Sequence, residues 1–166
     1  YMFKNLLIPS SDDEPFYHPG CRLLPDTMLL DDGHVVHRKT VRTDAGADIG
    51  IVVRFGSSGF RPGTQFHDGK QGWFCAYVVM KDEDFDRISG KLSYRCRYPE
   101  LDVPGGTSYF SRIPPFDEDG SGPETTIIGW DYDHDEPYEM DATLDSVIGD
   151  AKEAVGYLSG LLELPS

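Results

Sequence analysis

Four carboxylates and one histidine lie close together at the end of a strand-like segment. The strand and the cluster together have the sequence Thr125-Thr-Ile-Ile-Gly-Trp-Asp-Tyr-Asp-His-Asp-Glu-Pro137. Successive side chains of an extended chain point to opposite sides, which separates the three aspartates from the histidine and the glutamate (Asp131, Asp133 and Asp135 against His134 and Glu136). Carboxylates and an imidazole at this spacing are suited to holding a divalent cation or to moving protons.

Two familiar metal motifs do not fit these residues. An EF-hand loop needs glycine at its sixth position and glutamate at its twelfth, where this chain has Glu136 and Ala142. The His-x-Glu of zinc deaminases needs a following Pro-Cys-x-x-Cys, which is absent here. A looser divalent site on Asp131, Asp133 and His134 remains open, and with it a metal-dependent hydrolase. The other interpretation is that these acids cap the following helix and solvate a turn, so no metal and no cofactor is assigned.

Cations are concentrated in the segment Lys91-Leu-Ser-Tyr-Arg-Cys-Arg-Tyr98, which alternates like a strand. The pattern predicts that Lys91, Arg95 and Arg97 share one face, opposite Tyr94 and its apolar neighbours. One interpretation is a solvated outer face that pairs with nearby acids. The other is a site where Arg95 and Arg97 bind an anionic ligand with bidentate geometry.

Paired glycines follow in Pro104-Gly-Gly-Thr-Ser-Tyr-Phe-Ser-Arg112 and permit a sharp turn or a close approach of backbone to ligand. We expect residues 105–110 and 125–132 to be neighbouring strands, which brings the glycines close to the acidic cluster. The predicted ligand site then contains arginines for an anion, aromatic rings for stacking, and polar groups that orient the ligand: Arg95, Arg97, Gly105, Gly106, Tyr109, Arg112, Trp130, Asp131 and His134. No Gly-x-Ser-x-Gly elbow occurs, and no catalytic residue is assigned.

The composition restricts the partners. The net charge of −14 and the pI of about 4.5 oppose binding to nucleic acid or to an anionic membrane surface. The same charge suits a basic protein partner, and a homo-oligomer stays open. The odd number of cysteines (Cys21, Cys75 and Cys96) favours reduced thiols and a cytoplasmic location over a disulfide framework.

The hydrophobic pattern predicts a single α+β domain over residues 1–166, with a mostly antiparallel sheet packed against one long C-terminal helix. Residues 2–33 form an irregular wrapping segment, 34–132 the sheet, and 141–163 the helix, with Asp141 or Thr143 as its cap. The predicted local elements are a hairpin (34–42 with 49–55), a long loop (56–72) and a central strand (73–80). A short helix capped by Asp82 (83–88) and a further strand (91–98) follow.

Residues 73–162 resemble a group of small bacteriophage and prophage proteins. The resemblance rests on Trp73-Phe-Cys-Ala-Tyr-Val78, Pro104-Gly-Gly-Thr-Ser-Tyr109, Ile127-Ile-Gly-Trp-Asp-Tyr-Asp-His134 and the helix after Leu144. The group has a histidine where this chain has Pro104, so a role that needs that histidine does not carry over. The resemblance implies a small accessory protein in the cytoplasm of a host cell.

These observations together favour a non-enzymatic accessory protein of phage type. We expect it to bind and sequester a small anionic, nucleotide-like ligand, which would serve to counter host defence. An acidic inhibitor that occupies the groove of a basic host protein is the first alternative. The metal-dependent hydrolase is the second.

Overall fold

The structure is a computed structural model that describes residues 34–56, 63–113, 124–133 and 141–165. The predicted fold class is confirmed: a mostly antiparallel sheet packs against a C-terminal helix in a single domain. The predicted wrapping segment 2–33 lies outside the described residues. None of the described helices is long and apolar enough to span a membrane.

The described residues contain eight strands: β1 (His34–Arg42), β2 (Asp48–Gly56), β3 (Gln65–His67), β4 (Lys70–Lys81), β5 (Tyr94–Arg95), β6 (Tyr98–Pro99), β7 (Tyr109–Ile113) and β8 (Thr125–Asp131). The main sheet has the order β1-β2-β4-β8-β7, and β3 pairs with the beginning of β4. All of these pairings are antiparallel. A separate two-stranded hairpin is formed by β5 and β6.

Alternation along the central strands divides the sheet into two buried faces. One face carries the main core and meets the helices, with Ile51 of β2, Val78 of β4 and Ile128 of β8 among its residues. The opposite face holds residues such as Val52 and Tyr77, which are also buried. Burial on both faces explains why β4 reads as a continuous apolar run in the sequence.

Helix α2 (Leu144–Glu163) packs mainly across β4 and β2. It begins one residue after Thr143, whose hydroxyl oxygen accepts a hydrogen bond from the amide of Ser146, while the Ser146 hydroxyl accepts one from the Thr143 amide. This reciprocal capping box satisfies backbone donors that a helix start leaves unpaired. The helix therefore begins at the second of the two caps that the sequence predicted.

Helix α1 (Asp82–Ile88) departs from the prediction at its start. Its N-cap is Lys81, which makes no side-chain capping bond. Asp82 is already in the first turn, and its carboxylate accepts a hydrogen bond of 2.5 Å from the hydroxyl of Thr126 on β8. The acid that looked like a cap is therefore a link between the helix and the sheet.

The predicted strand over residues 91–98 is wrong. A single 3-10 turn (Ser89–Lys91) is followed by the short β5–β6 hairpin, in which the chain reverses at Cys96 with a φ of 58°. Tyr94, Cys96 and Tyr98 are exposed, so no apolar face forms there. The alternating pattern did not produce a longer strand because the hairpin joins no neighbouring strand of the main sheet. The predicted loop 56–72 is also shorter than expected, because β3 and the start of β4 lie within it.

Candidate functional site

The paired glycines form a tight turn between the β5–β6 hairpin and β7. Gly105 and Gly106 have φ angles of 73° and 76°, a region that disfavours residues with a Cβ. The guanidinium of Arg95 lies against Gly106, with its Nη2 atom 3.2 Å from the position that a Cβ would take. A side chain at position 106 would displace this arginine, so the glycine allows the cation to approach the backbone.

A small cavity of about 90 Å³ lies at this contact. We call it the arginine corner, and its lining residues are Arg95, Tyr98, Glu100, Leu101, Gly106 and Thr107. Within the described residues, Arg95 forms no ion pair with any carboxylate, although Glu100 lines the same cavity. The corner therefore combines an exposed guanidinium, a phenol ring and a hydrogen-bond acceptor.

A larger cleft of about 520 Å³ adjoins the arginine corner and shares Glu100 and Leu101 with it. We call it the acidic cleft, because Glu100 and Asp102 face Glu153 of helix α2 across it. The ring of Tyr157 also lines the cleft and is 47% exposed. The corner and the cleft together offer one cation, several acceptors and two aromatic rings, which are the groups that bind a nucleotide-like ligand.

Asp131 is connected to the glycine turn through a serine. Its Oδ2 atom accepts a hydrogen bond of 2.8 Å from the hydroxyl of Ser108, and its Oδ1 atom accepts one of 3.0 Å from the amide of Asp133. The carboxylate is only 4% exposed. The predicted closeness of the glycines and the acidic strand end is therefore present, but one oxygen of Asp131 joins the two segments and the other binds the backbone that follows β8.

A buried polar row crosses the sheet face that points away from α2. Arg54, Cys75 and Asp131 lie in register on β2, β4 and β8, and each is less than 5% exposed. Burial raises the pKa of the Cys75 thiol to about 12, and the negative charge of Asp131 adds to this rise. Burial likewise raises the pKa of Tyr77 well above its usual value. Both groups are neutral at physiological pH, so Cys75 is a packing residue rather than a nucleophile.

Arg112 does not belong to the arginine corner. It faces helix α1, where its guanidinium is 2.8 Å from the carboxylate of Asp86 and 3.4 Å from that of Asp82. It also lies over the ring of Phe85, 5.3 Å from the centroid. These contacts raise the pKa of Arg112 through its hydrogen bond to Asp86 and the charges of both carboxylates, although desolvation opposes the rise. Arg112 thus fixes α1 to the sheet.

The predicted aromatic partners also lie elsewhere. Trp130 is 1% exposed on the core face, and its indole N–H donates to the hydroxyl of Tyr132 at 3.1 Å. Tyr109 meets Tyr77 edge-on, with ring centroids 6.1 Å apart. Tyr98 and Tyr157 offer exposed rings instead, and neither was among the predicted site residues. Tyr98 follows two arginines in an alternating segment and Tyr157 lies within the helical pattern of α2, and neither context distinguishes a binding ring from a surface ring.

Arg97 lies in the exposed turn of the β5–β6 hairpin and does not line the arginine corner. His134 lies outside the described residues. Within the described ranges, no three His, Cys, Asp or Glu side chains are grouped so that they could hold a metal ion. The chain matches no protein-family model, no curated protein and no solved structure.

Proposed function

We propose that the protein binds a small anionic, nucleotide-like ligand at the arginine corner and the acidic cleft, without catalysing a reaction. The observation that carries the proposal is the contact of Arg95 with the Gly105–Gly106 turn. A guanidinium that approaches a backbone turn and has no carboxylate partner in the described residues is a ready donor to a phosphate oxygen.

We expect each of the two cavities to hold a different part of the ligand. The arginine corner, at about 90 Å³, accommodates a single anionic group rather than a chain of phosphates. The acidic cleft, at about 520 Å³, is in the usual size range for small-molecule sites and has room for a sugar and a base. Glu100 and Asp102 would accept hydrogen bonds from sugar hydroxyls, and the ring of Tyr157 would stack on the base.

Electrostatics narrows the ligand class further. The carboxylates of Glu100, Asp102 and Glu153 border the cleft, and the whole chain carries a net charge of −14. Each additional phosphate on the ligand increases the repulsion from these groups. We therefore infer a preference for ligands with one phosphate, such as nucleoside monophosphates or cyclic nucleotides, over nucleoside triphosphates.

Calorimetric titration with AMP, cyclic AMP, cyclic GMP and ATP tests the proposal. We expect binding of at least one of the ligands with one phosphate and weaker binding of ATP. Arg95→Ala should lower the affinity for the ligand about 10- to 100-fold, because the substitution removes a charge-assisted hydrogen bond. Arg97→Ala is the matched control, since it removes the same charge two residues away in the exposed turn and should keep the affinity.

Absence of heat with every ligand at high protein concentration would contradict the proposal, as would equal affinity of the Arg95→Ala variant and the unchanged protein. The biological role that we propose is the one implied by the phage-type motifs, sequestration of the ligand in the host cytoplasm to counter host defence. Protection of phage growth by the unchanged protein and loss of this protection in Arg95→Ala would support that role.

An acidic inhibitor of a basic host protein is a second candidate. It is supported by the net charge of −14 and by the carboxylates that border the acidic cleft. A lysine or arginine side chain of a partner would fit between Glu100 and Glu153. Capture of a basic protein that weakens steeply with salt and is lost in Glu100→Gln, together with no nucleotide binding, would favour this candidate over the first.

A further inference from the structure

A second open groove lies on the other side of helix α2, between this helix and edge strand β1. The helix packs mainly on β4 and β2, and β1 contributes little to this packing. The space left between them has a volume of about 720 Å³. This volume is well within the usual range for a small-molecule site. We call it the β1–α2 groove.

The residues that line the groove follow the strand period on β1 and the helix period on α2. On β1, His37, Lys39 and Val41 pair with core-facing residues of β2 and therefore share the helix side of the sheet. On α2, the lining residues recur every three or four positions and form one stripe: Asp145, Ile148, Lys152, Val155, Gly156 and Ser159. The groove is thus a consequence of two regular elements and not of an irregular loop.

A histidine and two lysines lie near one another in the groove. Burial lowers the pKa of His37 on β1, and the charges of Lys152 on α2 and Lys39 on β1 lower this pKa further. Both lysines are therefore near the imidazole. The Nε2 atom of His37 is enclosed and makes no hydrogen bond in the described part of the chain. Neither lysine forms an ion pair with another described residue. Two cations and an unused ring nitrogen therefore lie together, and no carboxylate of the described residues pairs with them.

The remaining wall is apolar, and an aspartate lies toward each end of the groove. Ile51 of β2 and Val155 of α2 are buried and form part of the floor. Asp44 and Asp145 line the groove as well. Asp145 is seven residues before Lys152, which corresponds to about 10 Å along a helix. A second anionic group on a ligand would meet these aspartates and be repelled.

We propose that the β1–α2 groove binds an amphipathic anion, whose single carboxylate or phosphate group lies between His37, Lys39 and Lys152 and whose apolar body lies on Ile51 and Val155. The head group would act as a counter-ion for the lysines. The body would cover the half-buried side chains of Val41 and Ile148, which also line the groove, and removing this apolar surface from water favours binding roughly in proportion to the area covered. This site is independent of the arginine corner.

Glycines of α2 provide a matched pair of variants. A Cβ added at Gly156 or at Gly160 would meet no other atom within 4 Å. Gly156 lines the groove, whereas Gly160 is exposed outside it. Both positions are in the helix, where any ordinary residue is more favourable than glycine. Gly156→Glu therefore adds a bulky anion inside the groove, and Gly160→Glu adds the same charge to the same helix outside it.

Calorimetric titration with decanoate tests the proposal, alongside decyltrimethylammonium, hexanoate and inorganic phosphate. We expect decanoate to bind the unchanged protein and Gly160→Glu equally, and to bind Gly156→Glu and Lys152→Glu about tenfold more weakly or worse. Hexanoate should bind more weakly than decanoate, by about fourfold for each methylene group that is no longer buried against the floor. Decyltrimethylammonium and phosphate should bind weakly because each lacks one of the two required parts.

Equal decanoate affinity in Gly156→Glu and Gly160→Glu would overturn the location of the site. Equal affinity for decanoate and decyltrimethylammonium would overturn the requirement for an anion, and no decanoate binding would overturn the proposal as a whole. Circular dichroism establishes that each variant is folded, and Lys152→Glu provides a second route if Gly156→Glu is not. Arg95→Ala should leave decanoate binding unchanged, which separates this site from the nucleotide site.

Discussion

The ring of Tyr77 on β4 lies over Gly129 on β8, in the space that the Cβ of any other residue would occupy. The two residues are direct partners in the β4–β8 ladder. Tyr109 of β7 also pairs with Gly129, and its ring meets Tyr77 edge-on. The glycine thus makes room for the Tyr77 ring on the sheet face that points away from α2, and this ring in turn contacts Tyr109. This packing explains a glycine in the middle of an otherwise bulky strand.

Gly129→Ala should destabilise the protein by about 1–3 kcal/mol, because the added methyl group overlaps the Tyr77 ring and the backbone must shift to accommodate it. Urea unfolding followed by circular dichroism measures the free energy of unfolding. Gly160→Ala is the control, since a Cβ there meets nothing and alanine is the better helix former. It should be neutral or stabilising. Equal free energies in the two variants would contradict the packing described.

A hydrogen-bonded chain connects the sheet to α2. The indole N–H of Trp130 donates to the Tyr132 hydroxyl at 3.1 Å, and this hydroxyl donates to the carboxylate of Asp150 at 2.6 Å. Tyr132→Phe should cost about 1–3 kcal/mol in the free energy of unfolding, because it leaves the buried indole N–H without its acceptor. Tyr157→Phe removes an exposed hydroxyl from α2 and should cost much less. A Tyr132→Phe variant as stable as the Tyr157→Phe variant would show that the chain contributes little.

Much of this fold could be predicted from hydrophobic alternation. The β1–β2 hairpin, the doubly buried β4 and α2 all follow from periodicity, because each buries one or both of its faces. The pairing of β7 with β8 was expected as well, but β7 covers Tyr109–Ile113 rather than residues 105–110, because the glycines form a turn before it. Alternation alone does not predict the structure of residues 91–98. This segment alternates as well as β2 does, yet whether a strand forms depends on a partner strand, and that is a tertiary property.

The candidate site was harder to predict than the fold. Trp130 and Asp131 are adjacent in β8, so their side chains point to opposite faces of the sheet, and one ligand cannot contact both there. Arg95 and Gly106 meet only because the loop between β6 and β7 folds back on the hairpin. The buried Arg54 could not be foreseen either, because a cation in a strand normally indicates a solvated face.

The two described cysteines should differ strongly in reactivity. Cys75 is buried and its pKa is raised to about 12, so almost no thiolate is present at pH 8, whereas the side chain of Cys96 is exposed in the hairpin turn. Iodoacetamide treatment of the native protein, followed by peptide mapping, should find Cys96 modified and Cys75 unmodified. Both should react in urea. Labelling of Cys75 at the rate of Cys96 under native conditions would contradict the structure of the central sheet.

Decanoate binding in the β1–α2 groove should strengthen as the pH falls from about 8 to about 6. In the free protein, burial and the charges of Lys152 and Lys39 lower the pKa of His37, so the imidazole is neutral near pH 7. A carboxylate bound beside it favours the imidazolium and raises this pKa, so binding takes up a proton. The gain in decanoate affinity is complete below the pKa of His37 in the free protein. It is lost as the pH rises through the higher pKa of His37 in the complex. Further charged residues line the same groove: Lys39, Arg42, Asp44, Asp145 and Lys152. His37→Gln should bind decanoate with an affinity that is independent of pH, and an unchanged pH dependence in this variant would show that another group takes up the proton.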